Sequence, residues 1–493
     1  MKRILHVTSE AAPFARTGGL GDASVGLARA TARADRTSSV ALVTPRYGTT
    51  RFPSGETGQY WEEPVAVHVG GHDFHVGVRE LPPDADGLRV LMLEHDELFG
   101  ARQGIYGDRF GTFGDNGFRF ATMSAASLEI GRRLWPEGHD LLHAHDWHAA
   151  LAVLYARLDE WSRLRASVFT LHNLAHQGVF GPSALATFGL PQHWFVESVL
   201  EHHGAVNLLK GATALADRVT AVSPRYAWEI TTPEGGFGLD THLAYHRDKL
   251  RGIVNGIDTV AYDPKTDPAL PMRFDRRDVQ RGKATAATQV RQLFGLHEDN
   301  SPLFCAISRF DTQKGLDVLF RVIPELLAWG AQIAVIGQGD PALERAARSL
   351  AERFAGRLGV RIAFEDTTAR QMYAAADFVL VPSRFEPCGL TQLYAMRYGS
   401  VPIVSRTGGL LDTVRAFVPA ELEGDEALGG DDRRGPGLMV GAGDDLELLD
   451  ACVSACELAR DRWRMARLRE WLMSRDWSWE QSAAEMIELY RSI

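Results

Sequence analysis

Short apolar runs recur along the chain, each closed by a turn rich in Gly, Pro, Asn or Ser, and most are followed by a segment with helical patterning. Ile4–Thr8 and Val40–Val43 read as strands flanking a helix over Ala23–Ala34. Leu141-Leu142-His143-Ala144-His145-Asp146-Trp147-His148 reads as a strand running into a loop. Val168–Leu171, Val219–Val222 and Leu250–Val254 add strands, with helices expected over Phe118–Leu134 and Ala205–Leu215. The second half is more regular. Leu303–Ile307, Ile333–Ile336, Val360–Phe364, Phe378–Val381 and Val401–Val404 read as strands. Leu316–Leu327, a segment after Pro341, one near Met372 and Leu390–Tyr398 read as helices. Runs apolar throughout belong to strands buried on both faces. Their alternation with helices predicts an α/β chain of parallel, doubly wound sheets.

The stretch Phe378–Leu411 concentrates the pattern: strand, polar turn Ser383–Gly389, helix stopped at Gly399, strand, and the glycine turn Thr407-Gly408-Gly409. Loops at the carboxyl ends of strands form the ligand crevice of such sheets. The first loop carries Glu386, which Pro387 biases away from α geometry. In the second, adjacent glycines leave backbone N–H groups open to an anion. Residues 52–110 are less regular and read as hairpins and loops decorating the first domain. At 493 residues the chain is too long for one core. The expected division is a first Rossmann-like domain over 1–262, a second over 263–475 beginning in the Pro- and charge-rich stretch Asp263–Arg281, and a terminal helix over 476–493 packing back on the first domain.

Composition narrows the function classes. The chain is 45% hydrophobic and 24% charged, with no apolar run near the length of a membrane span, so no membrane partner is expected. A net charge of −10 disfavours a nucleic-acid partner. Four cysteines make no disulfide framework, Cys452 and Cys456 read as packing residues, and a reducing cytoplasmic setting is expected. The loop Gly18-Gly19-Leu20-Gly21-Asp22 lacks G-x-G-x-x-G spacing, and no acid clearly ends the second strand, which weakens an oxidoreductase reading. Instead Arg16-Thr17-Gly18-Gly19-Leu20 echoes Arg406-Thr407-Gly408-Gly409-Leu410, one copy in each half. Arg309 and Lys314 share one strand-end loop, where two cations suit a diphosphate. His143, His145, Asp146 and His148 invite a metal reading. Only the first two share a strand face, however, so neither a metal nor another cofactor is expected.

Several separated strings, in order and over nearly the whole chain, resemble bacterial glycogen synthases and plant starch synthases. They are Glu386-Pro387-Cys388-Gly389-Leu390-Thr391, Thr407-Gly408-Gly409-Leu410, Ser308-Arg309 through Gln313-Lys314-Gly315, His143-Ala144-His145-Asp146-Trp147-His148, His172-Asn173 and Asn255-Gly256. The resemblance implies the GT-B architecture, two Rossmann-like domains facing across a cleft. It implies retaining, metal-independent transfer of glucose from ADP-glucose, with UDP-glucose the less favoured donor, to the non-reducing end of an α-1,4-glucan such as glycogen. Carried onto this chain, it implies catalytic roles for Glu386, His172, Arg309, Lys314 and Asp146. Substrate contacts fall to Arg16, Gly18, Gly19, Asp22, Asn173, Asn255, Cys388, Gly389, Leu390, Thr391, Thr407, Gly408 and Gly409, with Phe364 aligned to an aromatic that stacks on the donor base. Arg16 stands where the family usually has Lys, and His176 where it often has Tyr. The rival from another class is a glucan- or nucleotide-sugar-binding regulator that has lost turnover.

Overall fold

The structure, a computed structural model, describes residues 2–52, 55–158, 165–418, 421 and 434–493. The chain packs as two units, one of Met1–Gly256 with Trp479–Ile493 and one of Ile257–Ser478. The passage between them thus falls ahead of the Pro- and charge-rich stretch, which lies inside the second unit and runs into a helix over Val279–Phe294.

The first unit is built on the strands β1 (Arg3–Val7), β2 (Ser39–Pro45), β3 (Val65–Val69), β4 (His72–Glu80), β5 (Arg89–Glu94), β6 (Leu141–His145), β7 (Ala166–Leu171), β8 (Arg218–Ala221) and β9 (Leu250–Gly252). Their order across the sheet is β9-β8-β7-β6-β1-β2-β5-β4, with β3 paired to β4. The pairs from β9 to β5 are parallel, and β4 is antiparallel to β5. The region read as decoration therefore supplies a strand, β5, to the main sheet. From β1 the chain builds outward through β2 and β5, then restarts on the other side of β1 with β6. The switch point lies between β1 and β6, and their carboxyl ends mark the crevice of this unit.

The second unit contains β10 (Leu303–Ile307), β11 (Gln332–Gly337), β12 (Leu358–Ile362), β13 (Phe378–Val381), β14 (Val401–Ser405), β15 (Val414–Ala416) and β16 (Gly435–Val440). The sheet runs β12-β11-β10-β13-β14-β16-β15 and is parallel throughout. Its switch point lies between β10 and β13. The runs that predicted these strands are buried, Phe304, Val379 and Ile403 completely so.

Three local readings are corrected. Ala205–Leu215 is not one helix: Ala205–Asn207 is a strand, and Asn207 then caps a helix over Leu208–Leu215 by accepting the Lys210 N–H at 3.0 Å. β12 ends at Ile362, which leaves Phe364 beyond the strand. Gly408-Gly409 opens a short helix over Gly408–Thr413 rather than forming a turn alone. The terminal helix, Trp479–Arg491, lies against the helix Gly19–Ala34 of the first unit. Their close approach requires Gly26, because a Cβ there would overlap the Trp479 indole.

Candidate active site

In the second unit the switch point brings together the loop after β10 and the loop after β13. Lys314 Nζ donates to Glu386 Oε2 at 2.6 Å, and Ser383 Oγ donates to the same oxygen at 2.9 Å. Glu386 is 6% exposed, so its charge is sheltered from water and met by a cation and a hydroxyl. The two loops are stitched by backbone. Arg384 N–H donates to the Gln313 carbonyl at 2.8 Å, and Gln313 Nε2 donates to the Phe385 carbonyl at 3.2 Å. Gly315 has φ +65°, and a Cβ there would overlap the Pro382 carbonyl oxygen. That glycine lets the lysine loop lie directly on the Glu386 loop. Arg384 grips both oxygens of Asp317 at 2.7 Å, and this guanidinium holds the Asp317 carboxyl down at about 2.

Other expected residues surround this pair. Arg309 is half-exposed and bonds Asp311 at 3.2 Å. Cys388 and Thr407 are buried, Gly389, Leu390 and Thr391 partly so. Phe364 is 61% exposed on the loop after β12. The Gly408-Gly409 loop differs from the anion-cradle reading at one position. Gly409 N–H donates to the Glu386 carbonyl at 3.0 Å, and a Cβ at Gly409 would meet the Cys388 backbone. That glycine is required for the close approach of two loops.

In the first unit, Asp146 does not lie in a loop but begins a helix over Asp146–Leu158. Its φ of 56° places it in the left-handed region, where Asp is tolerated better than most side chains. The buried carboxylate accepts the His172 N–H at 2.7 Å and the Asn173 N–H at 3.4 Å, tying the end of β6 to the end of β7. Burial pushes its pKa up to about 7, against those two backbone bonds. His172 Nε2 bonds His145 Nδ1 at 3.0 Å, and His145 Nε2 bonds His6 Nδ1 at 3.1 Å. His143 bonds Tyr490 Oη and Thr170 Oγ1, each at 2.6 Å. Burial depresses all of these imidazoles, His6 and His172 to about 3. Nitrogens of His6, His143 and His145 lie within 4.8 Å of one another. Both nitrogens of His143 and of His145 already hold hydrogen bonds that a metal would have to break.

The first glycine loop is likewise held by contacts within the protein. Glu10, buried beyond the end of β1, accepts from Thr17 N–H at 2.8 Å, Thr17 Oγ1 at 2.9 Å, Gly18 N–H at 3.3 Å and Tyr106 Oη at 2.6 Å. Gly18, expected among the substrate contacts, turns its N–H to this carboxylate. Arg16 Nη1 reaches both Asp22 oxygens, at 2.9 and 3.2 Å. Asn255 is half-buried where the chain leaves β9. Glu10, His6 and Tyr106 escaped the sequence reading. The one signal for Glu10 was its place just beyond the first strand, ahead of the glycine loop.

Comparison with known proteins matches each unit to a described family. Residues 3–245 match the family model described as starch synthase catalytic domain, and residues 301–456 match glycosyl transferases group 1. The chain is 40% identical to a glycogen synthase of Anaeromyxobacter sp. (strain Fw109-5), over 99% of both chains. It is 38% identical to one of Roseobacter denitrificans, over 99% of this chain and 98% of that one. The catalytic domain of starch synthase IV from Arabidopsis thaliana, solved bound to ADP and acarbose, superposes with a TM-score of 0.88 at 31% identity, covering 100% of this chain and 99% of that one. Sucrose-phosphate synthase from Thermosynechococcus elongatus shares the fold, at a TM-score of 0.57 and 19% identity, covering 100% of this chain and 99% of that one. The two doubly wound units are those of a GT-B glycosyltransferase. The chain belongs to the glycogen synthase and starch synthase family of glycosyltransferases.

Proposed function

We propose that this enzyme transfers glucose from ADP-glucose to the non-reducing end of an α-1,4-glucan, with retention at the anomeric carbon and without a metal. The observation that carries the reading is the Lys314–Glu386 pair at the switch point of the second sheet. Breaking the bond from glucose to diphosphate builds negative charge on the departing phosphate and positive charge on the sugar ring. Lys314 and Arg309 suit the first, acting from one loop. Glu386 suits the second and accepts hydrogen bonds from sugar hydroxyls. Before donor binds, Lys314 keeps the buried carboxylate paired. With donor present it bridges carboxylate and phosphate.

Phe364 stacks on the nucleotide base, and Cys388, Gly389, Leu390, Thr391, Thr407, Gly408 and Gly409 line the donor loops. In the first unit Asp146 holds the backbone of His172 and Asn173, so that His172 meets the reacting glucose. Arg16, Gly18, Gly19, Asp22 and Asn255 contribute to substrate contacts, with Glu10 holding the glycine loop. ADP and acarbose in the starch synthase IV structure support a donor with adenine and an α-glucan acceptor. A cytoplasmic setting is supported by four buried free cysteines, and no helix among the described residues is long and apolar enough to cross a membrane.

The test incubates the protein with glycogen and either ADP-glucose or UDP-glucose, measuring released nucleotide and incorporated glucose. Incorporation from ADP-glucose at a clearly higher kcat/KM is expected. Incorporation from neither donor overturns the reading.

A further inference from the structure

Four histidines on or just beyond three neighbouring strands form a row in the first unit, His6, His143 and His145 fully buried and His172 half-buried at its end. His6 and His143 have ring centres 4.8 Å apart, His143 and His145 4.3 Å, and His145 and His172 5.3 Å. Burial lowers all four imidazoles and rings this close cannot share several charges, so the row is neutral and each ring carries one proton. Two continuous bonds then run His6–His145–His172. In each, one nitrogen holds the hydrogen and the other is bare. Placing a single hydrogen therefore settles the whole row.

The placing residue is His6. Its Nε2 is buried and has no partner among the described residues. A buried N–H without an acceptor is the costlier and rarer orphan, compared with an under-used acceptor. His6 therefore leaves Nε2 bare and carries its hydrogen on Nδ1, donating to His145 Nε2. His145 then carries its own hydrogen on Nδ1 and donates to His172 Nε2. The hydrogen of His172 is left on Nδ1, the nitrogen not used by the row. His143 stands outside the row, because the hydroxyls of Tyr490 and Thr170 rotate to suit either of its forms.

We propose that His6 and His145 are positioning residues that fix His172 in its Nδ1–H form, so that it meets substrate as a hydrogen-bond donor and not as a base. This rests on the assignment of His172 to the transfer site. It adds what that assignment leaves open, namely the direction of the hydrogen bond and the residues that set it. The partner implied is an oxygen acceptor on the substrate, a sugar hydroxyl or phosphate oxygen.

The test is the nitrogen-15 spectrum of the full-length protein labelled at histidine, in which a ring nitrogen bearing hydrogen separates from a bare one. The His172 signals are identified by their loss in His172→Gln. The expected result is hydrogen on Nδ1 at neutral pH. Hydrogen on Nε2, or an averaged pair of signals, overturns the proposal. In His145→Leu the donor to His172 is gone. His172 should then populate both forms, and kcat should fall about tenfold or more, as when the orienting partner of a functional histidine is lost, with donor KM changed less than twofold. Parental kcat in a folded His145→Leu also overturns it, and if that variant does not fold the parental spectrum still decides. The underlying assignment fails separately: unchanged glucose transfer by His172→Ala removes His172 from the site whatever its tautomer.

Discussion

Asp146→Asn should make the first unit more stable and the enzyme slower. Asn keeps the shape, tolerates the left-handed φ of 56°, and retains a carbonyl oxygen for the His172 and Asn173 N–H groups. What it removes is a buried charge. The Asp146 carboxyl moves from 3.8 to about 7 on folding. Between those values the folded state holds a proton that the unfolded chain has released, so stability falls as pH rises. The penalty is absent below about pH 4, grows to about pH 7, and is constant above. At about 1.4 kcal/mol per tenfold change in proton affinity, its upper limit is about 4 kcal/mol. Relaxation around the charge reduces this, and a gain of about 1–3 kcal/mol at pH 8 is expected for the variant. The assay is urea unfolding of parent and variant from pH 5 to pH 9. Hydrogen exchange in β6 and β7 identifies the transition of the first unit, since two units need not unfold together. The two stabilities should converge toward low pH and diverge toward pH 7, while kcat of the variant falls. Parallel pH curves, or a less stable variant at pH 8, would refute the reasoning.

Two further substitutions probe the loops. Gly315→Ala forces a Cβ onto the Pro382 carbonyl at φ +65°, and should cost about 2 kcal/mol or more in the second unit and weaken ADP binding; calorimetry equal to the parent would count against it. Arg16 reaches both Asp22 oxygens through one nitrogen, a contact that Lys reproduces. Arg16→Lys should therefore keep most glucosyl transfer while Arg16→Ala loses much of it, and an Arg16→Ala enzyme with parental rates would make this cation a surface ornament.

What was legible in the sequence was local. Apolar runs marked the central strands because a strand buried on both faces must be apolar throughout. The loops bearing Glu386, Lys314 and His172 fell at strand ends for the same reason. Ala205–Leu215 misled because Asn207 is a cap inside a run of helix-compatible residues. Asp146 misled because its left-handed backbone starts a helix with no loop before it. The two glycine loops look alike in sequence, yet in the first the Gly18 N–H meets the Glu10 carboxylate, and in the second the Gly409 N–H meets the Glu386 carbonyl. Only tertiary contact separates those cases. The histidine row was illegible on similar grounds, since His6 and His145 meet only because β1 and β6 are neighbours at the switch point.

The central claim is that Lys314, Arg309 and Glu386 act on charge that develops as the bond to diphosphate breaks. The measurement is kcat with saturating glycogen for Lys314→Ala, Arg309→Ala, their double variant and Glu386→Gln, with ADP affinity by calorimetry alongside. Each cation variant should lose about 10²-fold or more in kcat with a smaller loss of ADP affinity. The double variant should lose less than the product of the singles, because both cations act on one charge. Glu386→Gln should turn over slowly and still bind ADP. Unchanged kcat in both single cation variants would contradict the account and leave the Lys314–Glu386 pair as a structural contact.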